Sequence, residues 1–154
     1  MKKVRFESGR SMVEMIGVLA VMGLITAAAF VFIQSNMASS KRSRASDEVG
    51  AIVTAVREQN SGEQKNLGYY VGWSAKDDSN GTTYLRRLRI STKNPWGGDY
   101  SVRGSDNKNF FVVIKGLASG DCDALKTKAW SGAVVTPTCE TQNGKKNLLI
   151  KYSF

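Results

Sequence analysis

Residues 12–33 read MVEMIGVLAVMGLITAAAFVFI, an apolar run of 22 residues. Its only charged side chain is Glu14, and Thr26 is the only other plainly polar side chain before Gln34. As an α-helix the run extends about 33 Å, whereas the hydrocarbon core of a bilayer is about 30 Å thick. The run therefore predicts a helix that can cross a membrane.

Two other interpretations of the apolar run fit less well. The apolar region of a cleaved secretory signal is about 7–15 residues long and is followed by small residues at the cut. Ala27, Ala28 and Ala29 offer such a cut, but residues 30–33, Phe-Val-Phe-Ile, continue the run beyond it. A helix buried in a soluble core is disfavoured because the run is long and nearly free of charge.

Basic residues flank the apolar run on both sides. Residues 1–9 read MKKVRFESG, and Arg10 follows them. Lys41, Arg42 and Arg44 lie beyond the other end of the run. Four basic residues (Lys2, Lys3, Arg5 and Arg10) thus precede the run, and three follow it. Under the positive-inside rule this difference favours a cytoplasmic N-terminus only slightly.

The helix is predicted to continue past the apolar run. Residues 34–48 contain no proline, and an apolar stripe at helical spacing follows: Val49, Ile52, Val53 and Val56. Residues 60–62, Asn-Ser-Gly, end the pattern. We therefore expect one helix over residues 11–60, apolar all round in its first half and amphipathic in its second. At about 75 Å it is too long for one small domain, so part of it must lie in lipid or against other subunits.

The remainder of the chain combines turn signals with short β runs. Residues 62–81 are rich in Gly, Asn, Asp and Ser and predict a long surface loop with aromatic anchors. Residues 84–90 fit either a short helix or a strand. Turns are predicted at 94–98 and 143–144, a short helix at 121–128, and strands at 100–103, 110–115 and 148–152. These elements predict a small antiparallel sheet beside the amphipathic half of the long helix.

The composition limits the chemistry available to the chain. Its 154 residues suffice for one domain of ordinary size, and its net charge is +9, from 22 basic and 13 acidic residues. There is no histidine, and two cysteines cannot form a zinc cluster of the usual spacing. We also find no P-loop, GxSxG or GxGxxG motif. We therefore expect no metal, no cofactor and no enzymatic activity. The charge favours acidic partners without identifying one, and a solvated basic surface is the default interpretation.

The junction before the apolar run, residues 9–14, reads Gly-Arg-Ser-Met-Val-Glu. It resembles the processing region of type IV pilins and type II secretion pseudopilins. In that family a basic leader ends in Gly, a Glu lies five residues later, and an apolar helix follows. Here Gly9 matches the leader end, Glu14 the acid, and residues 15–33 the helix. Arg10 departs from the family, which normally has an apolar residue at that position.

This resemblance implies a role for each residue of the junction. A prepilin peptidase would cut after Gly9 and methylate the new amino terminus at Arg10. The Glu14 carboxylate would pair with the amino terminus of a neighbouring subunit in the low-dielectric core of a filament. An acid within an apolar helix is costly and usually functional, which favours this role independently. A helix cap is the alternative, because residues 11–14 also fit a capping box.

The globular part extends the resemblance more loosely. Residues 94–98, Asn-Pro-Trp-Gly-Gly, are similar to a turn that precedes strands in some type IVb pilins and pseudopilins. Cys122 and Cys139 are similar to the disulfide pair of the C-terminal pilin region, and two reduced core cysteines are the alternative. Gly17 and Gly23 fit either local melting during filament packing or close helix contacts in the membrane.

Together these features predict an α+β pilin fold. Its parts are a leader at 1–9, a transmembrane and assembly helix at 10–35, and a periplasmic or extracellular globular domain at 36–154. The expected function is that of a structural subunit of a type IV pilus or pseudopilus. Its expected partners are related subunits, a prepilin peptidase, the inner-membrane assembly platform and, before polymerisation, the bilayer. The precursor is expected in the bacterial inner membrane, and the assembled subunit in an extracellular pilus or periplasmic pseudopilus.

Two rival functions remain open at this point. One is a minor pilin that binds DNA or another surface ligand through its basic surface, with Arg86, Arg87 and Arg89 as contacts. A solvated face is the ordinary role of such a cluster. The other is a membrane-anchored periplasmic enzyme, which the missing site chemistry makes the weakest of the three.

Overall fold

The computed structural model describes residues 10–62, 79–106 and 108–154. The leader expected at 1–9 and most of the loop expected at 62–81 lie outside the described residues. Helix α1 spans Arg10–Gly62, 53 residues, which confirms the single long helix expected from the sequence. The chain divides between Ser40 and Lys41 into two compact units, and α1 contributes to both.

In the first unit the described chain is α1 up to Ser40. Within the described residues, α1 is the one helix whose length and composition would allow it to cross a membrane. Its most apolar window has a mean hydropathy of 2.6, and none of that window is buried. The Thr26 hydroxyl donates to the Met22 carbonyl oxygen at 2.8 Å, so this polar side chain finds its partner within the helix.

A four-stranded antiparallel sheet dominates the second unit, Lys41–Phe154. Its strands are β1 (Tyr100–Asp106), β2 (Asn109–Leu117), β3 (Thr138–Gln142) and β4 (Lys145–Ser153), in the spatial order β1-β2-β4-β3. The runs expected at 100–103, 110–115 and 148–152 all lie in strands. Strand β3 was not expected, because as an exposed edge strand it carries no apolar alternation.

Among the described residues, two short helices accompany the sheet. Helix α2 spans Ser79–Arg87, so the ambiguous segment 84–90 begins as helix, and residues 79–81 are helical rather than part of a loop. The Thr82 hydroxyl donates to the Tyr100 carbonyl oxygen at 3.1 Å, which fastens α2 to β1. Helix α3 spans Ser119–Lys126 and confirms the short helix expected at 121–128, within the usual uncertainty of helix ends.

The core lies between one face of the sheet and the second half of α1. The four residues of the expected stripe, Val49, Ile52, Val53 and Val56, are all buried. Alternate sheet residues pack against this stripe, among them Tyr100, Val102, Val112, Ile114, Leu148 and Ile150. Helix α3 closes the core with Cys122 and Leu125. Each fully buried aliphatic side chain contributes about 1.5–3 kcal/mol, so this contact is the main source of stability.

Both expected turns are present, each with backbone in the left-handed region. In the β3–β4 hairpin Asn143 and Gly144 have φ of 51° and 74°, as a two-residue turn with the twist of the strands requires. The Asn94 side chain organises the turn at 94–98: its Oδ1 accepts bonds of 3.0 Å from the backbone N–H groups of Trp96 and Gly98. Gly97 has φ of 82° there.

A disulfide joins Cys122 of α3 to Cys139 of β3. It ties the edge strand to the helix that closes the core. The chain thus combines a long, initially apolar helix, a four-stranded antiparallel sheet packed on the second half of that helix, and a C-terminal disulfide. This architecture is pilin-like.

Candidate functional site

The first half of α1 presents an extensive exposed apolar surface. All side chains over residues 12–37 are exposed in the isolated chain. They include Met12, Leu24 and Phe32, which are 76%, 73% and 68% exposed. Soluble monomers rarely expose continuous apolar patches larger than a few hundred Å². This surface therefore needs a cover of lipid or protein.

Glu14 is the one acid in this apolar surface. Its side chain is exposed, and the described residues offer its carboxylate neither an ion pair nor a hydrogen bond. Ser11 lies within α1, so it does not precede the helix as the first residue of a capping box does. Among the described residues, this carboxylate therefore has no partner. Gly9, the expected cleavage position, lies outside the described residues.

The three arginines singled out in the sequence lie together at the end of α2. Arg86 and Arg87 form its last turn, and Arg89 follows with φ of 57°. All three side chains are exposed, and none forms an ion pair with the residues that the structure describes. Cations near the C-terminal end of a helix interact favourably with the helix dipole, so the arginines can also stabilise α2. With respect to the described residues, the cluster offers unpaired positive charge to an anionic partner.

A polar network that the sequence did not reveal joins α1 to the sheet. The Tyr100 hydroxyl donates to one Glu48 carboxylate oxygen, and Arg44 Nε donates to the other, each at 2.8 Å. Burial and the bond to Glu48 raise the pKa of Tyr100 far above its ordinary value. The only sequence signal was the i,i+4 spacing of Arg44 and Glu48 on the helix. The network is structural, because its tyrosine stays neutral at ordinary pH.

Tyr152 is the second buried tyrosine of the sheet. Burial raises its pKa to about 12, against a smaller opposing effect of Arg57. The guanidinium group of Arg57 itself donates to the Ser153 carbonyl oxygen at 3.0 Å. Among the described residues there is no group of three or more His, Cys, Asp or Glu that could hold a metal ion.

No protein-family model, curated protein or solved structure matches the chain. The pilin-like architecture accordingly rests on the helix, sheet and disulfide themselves.

Proposed function

We propose that the chain is a structural subunit of a type IV pilus or secretion pseudopilus, anchored in the inner membrane before it polymerises. The observation that carries this proposal is the exposed apolar half of α1 in a chain whose second unit already has its own closed core. The apolar half is therefore not needed to complete the globular fold. Lipid covers it in the precursor, and the α1 helices of other subunits cover it in the filament. The role is structural rather than enzymatic.

The position of Glu14 fits the proposed processing. Arg10, the residue that cleavage after Gly9 makes the new amino terminus, lies in α1 one helical turn before Glu14. The Glu14 carboxylate, unpaired within the described chain, is the acceptor for the amino terminus of a neighbouring subunit. In a filament core of low dielectric, such a pair fixes the axial register between subunits.

The proposed assembly needs three kinds of partner besides the bilayer. A prepilin peptidase removes residues 1–9 and methylates Arg10. An inner-membrane platform extracts the subunit from lipid, and related subunits receive it. The final location is an extracellular pilus or a periplasmic pseudopilus.

The experiment expresses the full chain in a bacterium with an active prepilin peptidase and assembly machinery. Mass spectrometry of the mature subunit should show the loss of residues 1–9, and mechanical shearing should release the subunit in filaments. A Gly9→Leu variant is the matched control, which should keep its leader and remain in the membrane fraction. A mature chain that starts after Ala29 would instead identify a cleaved secretory signal, and the proposal would be wrong.

A second candidate function is that of a minor pilin that binds DNA through its basic surface. The exposed arginines at the end of α2 favour it, as does the composition of residues 41–154, with 18 Lys and Arg against 11 Asp and Glu. Binding that rests on phosphate contacts falls steeply with salt.

This candidate is tested by fluorescence anisotropy of duplex DNA with the full chain in detergent, across a series of salt concentrations. A variant with Gln at Arg86, Arg87 and Arg89 should lower the salt slope by about three. A control with Gln at Lys126, Lys145 and Lys146 has the same net charge. If both variants lose affinity equally, the binding is diffuse and the arginine cluster is not a site.

A further inference from the structure

A cleft of about 420 Å³ opens in the second unit where four segments meet. These segments are the turn at 94–98, the end of β2, the start of α3 and the β3–β4 hairpin. The cleft volume lies within the range of about 300–1,000 Å³ that is usual for small-molecule sites. Neither the pilus proposal nor the arginine cluster uses this cleft.

The floor of the cleft is an irregularity in β2. The register between β2 and β4 shifts between Ile114 and Leu117, and Gly116 in this stretch has φ of 78°. Two buried asparagines hold the irregular backbone. The Asn94 side chain donates to the Lys115 carbonyl oxygen at 2.8 Å, and the Gly116 N–H donates to Asn147 Oδ1 at 3.2 Å. Bulges of this kind recur next to functional sites, and here the floor is fixed before any ligand arrives.

Glycine lets the turn at 94–98 pack closely on the floor. A Cβ atom on Gly116 would lie 3.3 Å from the Cα atom of Gly98, so the two backbones are in close contact. This close approach holds the turn that carries Trp96 against the end of β2.

The walls combine one aromatic surface with separated charges. Trp96 is a half-buried wall residue packed against the core. Lys145 and Lys146 line the cleft from the hairpin, and Asp121 lines it from α3. None of these three charges has an ion pair within the part of the chain that the structure describes. The stem of Lys145 passes Gly116, with its Cδ atom 4.0 Å from the position of a Gly116 Cβ.

We propose that this cleft binds an acidic saccharide, with a carboxylate-bearing sugar as the recognised unit. The sugar carboxylate would pair with the ammonium groups of Lys145 and Lys146. The apolar face of the ring would lie on the indole of Trp96, which supplies a rigid apolar surface. The Asp121 carboxylate accepts hydrogen bonds from ligand hydroxyl groups.

Asp121 also makes the cleft selective for this ligand over other anions. A carboxylate on the cleft wall repels a ligand that carries several negative charges close together. A polyphosphate or a nucleic acid backbone meets that repulsion and has few hydroxyl donors to offset it. A single carboxylate among hydroxyl groups satisfies both the lysines and Asp121.

The test is isothermal titration of the full chain in detergent micelles with trigalacturonic acid, and with maltotriose as the neutral probe. The acidic trisaccharide should bind saturably, and maltotriose should bind at least about fivefold more weakly. Lys145→Gln with Lys146→Gln should weaken acidic binding at least about fivefold. Lys41→Gln with Lys126→Gln, which removes the same charge outside the cleft, should leave it unchanged. Trp96→Leu should weaken binding of the acidic trisaccharide; because Trp96 also packs against the core, the titration is made at a temperature at which thermal unfolding shows the variant to be folded.

Three outcomes overturn the proposal. The first is no saturable binding of trigalacturonic acid up to about 10 mM, a concentration that detects even weak sites. The second is equal weakening by the two lysine pairs, which shows attraction by net charge alone. The third is tighter binding of tripolyphosphate or oligothymidylate than of the acidic trisaccharide, which shows an anion site without sugar recognition.

Discussion

The hydroxyl group of Tyr100 donates a hydrogen bond of 2.8 Å to the carboxylate of Glu48, which joins the start of β1 to the second half of α1. Tyr100 is fully buried, so its hydroxyl group depends on a partner within the protein. Glu48 is held in turn by Arg44, one helical turn earlier. The helix is thus fixed on the sheet by a charged hydrogen bond as well as by apolar packing.

Removing this hydrogen bond should destabilise the second unit. Tyr100→Phe keeps the ring and its packing but leaves the half-buried Glu48 carboxylate without one donor. A hydrogen bond to a charged group contributes about 1.5–3 kcal/mol, so the free energy of unfolding should fall by about that amount. Urea unfolding of the full chain in detergent measures the change.

The matched control is Arg44→Gln, which removes the other donor to Glu48. Its side chain is 71% exposed, so water can replace it, and the loss should stay below about 1 kcal/mol. Equal losses from the two substitutions would show that the Tyr100 hydrogen bond contributes no more to the free energy of unfolding than the exposed Arg44 bond does.

The same tyrosines predict a loss of stability at alkaline pH. Burial raises the pKa of Tyr152 to about 12 and that of Tyr100 further, whereas both lie near 10 in the unfolded chain. Above about pH 10 the unfolded chain therefore loses protons that the folded chain retains. The free energy of unfolding must fall as pH rises from there, and the contribution of Tyr152 is lost by about pH 12.

Urea midpoints measured from about pH 8 to about pH 11 should show this fall, because the loss of stability begins near the pKa of the two tyrosines in the unfolded chain. Tyr100→Phe and Tyr152→Phe should each flatten the alkaline limb, because phenylalanine has no proton to lose. An unchanged slope in the double variant would mean that other groups cause the alkaline loss.

The disulfide should contribute strongly to the stability of the second unit. Cys122 and Cys139 are 17 positions apart, and closing a loop of that size in the unfolded chain contributes about 3 kcal/mol in the chain-entropy model. Replacing both residues with alanine should lower the free energy of unfolding by about that amount. The original chain unfolded in the presence of a reductant should lose a similar amount. If reduction leaves the unfolding curve unchanged, the bridge adds no stability.

Two glycines should resist substitution because backbone occupies the space around them. A Cβ atom on Gly81 would overlap the Val102 carbonyl oxygen, and one on Gly98 would overlap the Lys115 carbonyl oxygen. Alanine at either position must displace backbone and should cost about 1–3 kcal/mol, as overpacking does. Gly50→Ala is the control, since that helical position has open space and alanine should stabilise it by up to about 1 kcal/mol. Thermal unfolding midpoints should be lower than that of the original chain for the Gly81 and Gly98 variants, and equal or higher for the Gly50 variant.

The parts of the fold that the sequence predicted are those with a local pattern. The stripe of Val49, Ile52, Val53 and Val56 follows helical spacing, and every member is buried. The Asn143-Gly144 pair has the left-handed backbone that a two-residue hairpin turn needs, so its residue types alone predicted the turn.

The parts that the sequence missed depend on distant contacts. Strand β3 has no apolar alternation, and its place is set by pairing with β4 and by the Cys122–Cys139 bridge. The cleft brings Trp96 next to Lys146, which lies 50 positions later in the chain, through an irregularity in strand pairing. No local pattern encodes such a juxtaposition, because it follows from register and topology.

Substitution of Glu14 should separate membrane insertion from filament assembly, on the premise that the chain is a pilus subunit. Glu14→Ala removes the one charge from the apolar half of α1, so the subunit should reach the membrane at least as well as the original chain. It should nevertheless yield few filaments, because the amino terminus of the neighbouring subunit would lose its partner. An orphaned buried charge costs about 3–5 kcal/mol at each subunit contact.

Glu14→Gln distinguishes the charge from the hydrogen bond, because the glutamine side chain can still accept a hydrogen bond from the neighbouring amino terminus but carries no charge. The measurement is the yield of sheared filaments divided by the subunit level in the membrane fraction, for both variants. Asp47→Asn, an exposed charge removed later on the same helix, controls for net charge and should assemble normally. Poor assembly of both Glu14 variants supports pairing with the amino terminus. If Glu14→Gln assembles as the original chain does while Glu14→Ala does not, the hydrogen bond alone matters and the charge pairing is wrong.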